Sequence, residues 1–176
     1  MIRVFGGKRP VIGRGVFLAE TCAVIGDVEI GEESSIWYST VLRGDVMPIR
    51  IGARTSVQDG TIVHTTAGRF GTSIGSDCTI GHGAIIHACT VEDLCLIGMG
   101  SILLDGARIG RGSLVGAGAL VTPGTVIPPG SLVIGSPAKV KRAINDKERE
   151  QIEYGAAHYV SLTRTYLAAD GETSVP

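Results

Sequence analysis

The chain has 176 residues, 44% of them hydrophobic, yet only 5% are aromatic and 26 are glycine. Its 16 basic and 17 acidic residues leave a net charge of -1, which offers nothing to a nucleic acid or an anionic membrane, and no apolar run is long enough to span a bilayer. This composition supports one domain with a core of Ile, Val, Leu and small residues, and the opening MIRVFGGKRP, lacking a signal-peptide core, points to the cytoplasm.

From Ile12 onward, aliphatic residues begin six-residue units. They stand at Ile12, Leu18, Val24, Ile30, Ile36 and Leu42, then at Ile51, Val57 and Val63, then at Ile74, Ile80 and Ile86. The series resumes at Val91, Ile97, Leu103, Ile109, Val115, Val121, Ile127 and Val133. Many are followed by glycine, as in IGEESS, IGARTS, IGSDCT and VGAGAL. A fixed period of this kind marks a solenoid, and period six with glycine in most units does not suit a helix. The pattern resembles the left-handed parallel β-helix, an all-β solenoid in which three hexads make one triangular coil with the starters inside. Twenty hexads predict between six and seven coils over residues 1–137.

Three interruptions break the period. Three extra residues lie between Leu42 and Ile51, five lie between Val63 and Ile74, and one is missing between Ile86 and Val91. Counted in threes from Ile12, both insertions follow a third hexad and should protrude as loops at one corner of adjacent coils, where a site is expected. Cys22, Cys78 and Cys95 fall at the fifth place of a hexad, where a reduced thiol packs as a small inward group. No CxxC motif joins them or Cys89. Beyond the solenoid, residues 138–168 read as a connector and a helix capped by Asn145 or Asp146, with Ile152, Ala156, Tyr159, Val160 and Tyr166 facing the β-helix. Residues 169–176 read as a frayed tail.

Three of the four histidines, His64, His82 and His87, lie between Val57 and Cys89. Three histidines suffice to hold a catalytic zinc with one coordination position open. Because side chains alternate along a strand, a residue following an inward starter points out. Arg43, His64 and His87 each follow a third-hexad starter, so they form one outward ladder with steps of about 4.8 Å. His82 is the third residue of its hexad, at a different corner, one coil beyond Asp59. The two ladders cannot share a metal within one subunit. A heterologous three-fold interface would bring His64 and His87 of one chain to His82 of the next, so metal binding and a homotrimer are expected together. The plain alternative is that stacked histidines merely pack at a seam. His158, on the helix, reads as structural.

The series SIWYSTVLRGD, IGARTSVQDGTIVH, TIGHGAIIHACTV, CLIGMGS and GSPAKVKR resembles the gamma-class carbonic anhydrases. The resemblance covers nearly the whole chain. It implies a trimeric β-helix with Zn2+, or Fe2+ or Co2+, held by His64, His82 and His87, and a metal-bound water acidic enough to hydrate CO2 to bicarbonate at neutral pH. It implies further that Gln58 orients the nucleophile, that Arg43 and Asp59 pair across the interface with Asp45 in the same polar set, and that Tyr159 stands near the site. A purely structural ion-pair role for Arg43, Asp45 and Asp59 is compatible with this. Three departures accompany the resemblance: Val46 replaces a family Glu, Ser56 replaces a frequent Asn, and the loop TTAGRFG lacks the carboxylate that serves as proton shuttle. The last favours a slow enzyme or a catalytically silent metal-bearing scaffold. A hexapeptide acyltransferase or thioesterase acting on a coenzyme A substrate is the other alternative.

Overall fold

The computed structural model describes residues 1–172. Its strands stack as a parallel solenoid, and the register follows the hexad count. On the first face Ile12, Ile30, Ile51, Ile74, Val91, Ile109 and Ile127 lie above one another. Leu18, Ile36, Val57, Ile80, Ile97, Val115 and Val133 do so on the second. Val24, Leu42, Val63, Ile86, Leu103 and Val121 make the third. All of these starters are buried except Ile12 and Leu18 in the first coil, which has no coil beneath it. Each coil hides its apolar ladder only against its neighbours, so the core is a column of aliphatic side chains along the prism axis. The fold is that of the left-handed β-helix. All four cysteines are buried and free, packed as small groups.

Corners are turned by residues with left-handed backbone. At the corner between the second and third faces these include Gly60 (φ 69°) and Gly83 (φ 65°), directly after Asp59 and His82.

Two expectations need correction. The first insertion does not protrude as a loop: Val41–Ile51 is one continuous strand that rounds the corner, pairing first with Ile62–His64 and then with Thr72–Ile74. The Ala23–Ile30 strand beneath it takes the same path, with a register slip between Gly26 and Val28 that absorbs the extra length. Only the second insertion forms a loop, closed by a bridge between Thr66 and Phe70. The connector after Pro137 is also a strand. Ala138–Ala143 runs antiparallel to Ser131–Gly135 and ends the second face, with Lys139, Lys141 and Arg142 exposed along an edge that would otherwise be open to pairing.

The helix runs over Asp146–Glu172, so the stretch expected to fray is helical up to Glu172; the remainder, 173–176, lies outside the described residues. The helix covers the lower coils of the second face, where Ile152 and Ala156 are buried. Tyr159 and Tyr166 close an aromatic cluster with Phe17 and Trp37, with centroid separations of 5.0–5.9 Å. The Trp37 indole donates to Ser35 Oγ (3.0 Å) and Ser56 Oγ (2.9 Å), so Ser56 serves the tryptophan that anchors the helix.

Candidate metal centre

The strand Ile62–His64 pairs with Ile85–His87, placing the two terminal histidines opposite each other. Their rings face across 3.2 Å, from His64 Nδ1 to His87 Nε2. The outer nitrogens are both engaged by carboxylates: His64 Nε2 meets Asp45 Oδ1 at 3.0 Å, and His87 Nδ1 meets Asp105 Oδ1 at 2.7 Å. Arg43, one coil below His64, pairs with the other oxygen of Asp45. Partial burial opposes ionisation of Asp45, but the hydrogen bonds from His64 and Arg43 outweigh it and hold its carboxyl below the usual range. Asp105 is held low as well, first by the Thr66 hydroxyl and then by His87.

His82 stands one coil above Asp59, as the hexad count requires. Its Nδ1 is 2.8 Å from Asp59 Oδ2, while Asp59 Oδ1 accepts the backbone N–H of Tyr38 (3.2 Å). Next to it, Gln58 is nearly enclosed and meets the Tyr159 side chain. Burial, then the charge of Asp59, pushes the Tyr159 phenol up against the opposing effect of Gln58. Gln58, His82 and Tyr159 share a groove of about 530 Å3 between the helix and the second face, floored by Leu96, Ile97, Leu114 and Val115. The expected site residues therefore fall into two groups, Arg43, Asp45, His64 and His87 at one corner and Gln58, Asp59, His82 and Tyr159 at another. Among the described residues, no group of three or more His, Cys, Asp or Glu within the chain could hold a metal ion.

The donors fit such an ion nonetheless. Two nitrogens bound to one tetrahedral zinc stand about 3.3 Å apart, close to the separation of His64 and His87. With both outer nitrogens on carboxylates, the two inner nitrogens face each other in the arrangement that two ligands of one ion take. Asp59 on Nδ1 of His82 likewise leaves Nε2 as the free donor.

Asp105 and Thr66 escaped the sequence reading. Asp105 is the third residue of the hexad one coil above His87, the same offset that Asp59 has within its own hexad, so running the count one coil further would have found it. His158 is exposed on the helix, stacked on Tyr154 at 5.6 Å and edge-on to Tyr159 at 5.5 Å.

No family model matches the chain. It is 48% identical over 168 residues to a carbonic anhydrase of Geobacillus kaustophilus, a match covering 96% of this chain and 92% of that one. The chain belongs to the gamma carbonic anhydrase family. The mitochondrial gamma carbonic anhydrase 2 of Arabidopsis thaliana is 42% identical over 171 residues, and the match covers 94% of this chain but 62% of that longer protein. Among solved structures, a Bacillus cereus protein described as an acetyltransferase superposes with a TM-score of 0.94 at 43% identity, covering 96% of this chain and 98% of its own. Among the described residues of this family member, no helix is long and apolar enough to cross a membrane.

Proposed function

We propose that the chain is a metal-dependent carbonic anhydrase that hydrates CO2 to bicarbonate at sites shared between the subunits of a homotrimer. One observation carries this reading: the two halves of the three-histidine set lie at the two edges of a single uncovered apolar face. His82 sits at the corner where the chain enters the third face, and His64 and His87 end the strands that leave it. Between them runs an outward ladder of Val41, Ile62, Ile85, Ile102 and Leu120, with Ile62 and Ile85 exposed. Three prisms turning this face to a common axis bring each His82 corner against a neighbour's His64–His87 corner.

In such a site His64, His82 and His87 hold the ion, while Asp45, Asp59 and Asp105 orient the three rings. A metal held there would supply an acidified water; Zn2+, Fe2+ and Co2+ all suit three imidazoles. Gln58, which meets Tyr159 beside His82, would help orient that water against CO2. His64 and Arg43 together hold the Asp45 carboxyl low. The loop TTAGRFG offers no carboxylate for proton export, so turnover is slow. Four free cysteines suit a reducing compartment such as the cytoplasm.

The test is stopped-flow CO2 hydration on protein loaded with Zn2+, or with Fe2+ under anaerobic conditions, with His82→Ala as control. Activity that disappears in a folded His82→Ala protein, together with its metal, is the expected result. A variant that kept its full metal complement would end the shared-site reading. The groove beside His82 and the described acetyltransferase relative favour one second reading, turnover of an acyl-coenzyme A. His82-dependent thioester turnover without CO2 hydration would put it first.

A further inference from the structure

The five-residue insertion after Val63 carries no acid, yet it reaches the histidine pair through a hydroxyl. Thr66 Oγ1 donates to Asp105 Oδ2, and the other oxygen of Asp105 lies 2.7 Å from His87 Nδ1. We propose that Asp105 is the positioning residue that fixes His87 with its proton on Nδ1, and that Thr66 holds Asp105 in place. The role of the loop is thus to orient a ligand rather than to carry protons. This rests on the metal-site reading above.

Both ends of the relay are pinned by backbone. At the Asp105 corner, Gly106 N–H donates to Ala88 O (2.7 Å) and Gly124 N–H donates to Asp105 O (2.8 Å), locking the coil to its neighbours on both sides. In the loop, Thr66 N–H donates to Phe70 O (3.0 Å), and Thr66 O accepts from Phe70 and Arg69 N–H (both 3.2 Å). Thr65 and Thr72 brace the same loop from below, through Met47 O and His64 O. The Asp105 carboxylate therefore has one oxygen committed to the loop and one aimed at the imidazole.

The chemistry explains why this matters. A free neutral imidazole prefers its proton on Nε2, which would block the nitrogen facing His64. A carboxylate on Nδ1 inverts that preference and presents the Nε2 lone pair. A simple surface ion pair would supply charge without fixing the tautomer, and that difference can be measured.

The measurement is long-range 1H–15N NMR of the metal-free full-length chain at pH 8, paired with zinc competition against a chromophoric chelator. Wild-type His87 is expected as the Nδ1–H form. Asp105→Ala should shift it towards Nε2–H and weaken zinc binding about 10- to 100-fold. Thr66→Val, which removes only a hydroxyl from an exposed loop, should move both readouts the same way by less. A folded Asp105→Ala protein with the wild-type tautomer and affinity overturns the proposal. If that variant does not fold, unchanged tautomer and affinity in Thr66→Val overturn it instead. Should the wild type bind zinc without hydrating CO2, the tautomer shift still upholds the role of Asp105 while the proposed activity falls. If the wild type binds no zinc, the metal-free tautomers decide alone.

Discussion

Gln58 is 5% exposed, the most enclosed polar side chain of the candidate centre, and it meets Tyr159, whose phenol burial and the charge of Asp59 push up. Truncating Gln58 removes a fixed dipole beside His82 without touching a ligand. Gln58→Ala should retain its zinc and lose roughly a hundredfold in kcat/KM for CO2 hydration. Unchanged kinetics at full metal occupancy would remove Gln58 from the mechanism. The outward positions of Arg43, His64 and His87 were legible in sequence because alternation along a strand fixes what points out, and the hexad count fixes which coil carries it. The His82–Asp59 contact followed from the same count. The pairing of Asp45 with His64 did not, since Asp45 lies in an insertion where the count lapses. Asp105 sits in the ordinary stretch LLDGAR, and only its height above His87 distinguishes it.

At the scale of elements, the helix is held at its start by a capping box: Glu148 N–H donates to Asn145 Oδ1 (2.9 Å), and Asn145 N–H donates to Glu148 Oε2 (2.8 Å). Arg142, from the strand that ends the second face, grips the same carboxylate at 2.7 and 2.8 Å, so the last strand and the helix share one anchor. Asn145→Ala should cost about 1 kcal/mol. Arg142, followed by the Asn145 N–H, lowers the Glu148 carboxyl from 4.5 to about 2. A carboxyl depressed in the folded state stabilises above its unfolded value and ceases to do so as pH falls through its folded value. The contribution is therefore complete above about pH 4.5 and fades towards pH 2. Glu148→Gln should melt lower than wild type at pH 7, and the gap should narrow across that window; parallel melting curves from pH 7 to 2 would sink the assignment. The cap and the helix were readable, since Asn145 precedes an acidic first turn. The strand Ala138–Ala143 was not, because AKVKRA departs from period six and its pairing is antiparallel, a relation that hexad counting cannot express. The strand Val41–Ile51 was missed for the related reason that an insertion can lengthen a strand as well as break one.

The whole molecule presents three faces with unequal fates. The second is covered over its lower coils by the helix, and the first carries Glu29, Arg50, Ser73, Thr90 and Arg108 at its outward positions. The third keeps an uncovered aliphatic ladder, with half of a metal site at each edge. A monomer has no use for that arrangement, whereas a closed ring uses both edges of every copy. The decisive experiment exploits the asymmetry. A His82→Ala chain retains a sound His64–His87 corner, and a His64→Ala, His87→Ala chain retains a sound His82 corner, so each alone should form trimers without zinc or activity. When the two are unfolded and refolded together at equal amounts, a complete site arises wherever the first kind of chain meets the second in the correct rotational order. Random assembly gives that junction at about one quarter of all interfaces. Zinc content and CO2 hydration should both return to about that fraction of wild type, in proportion to each other. Recovery of neither in correctly sized mixed trimers would mean that the two corners do not meet, and the apolar face would then serve an assembly of another geometry.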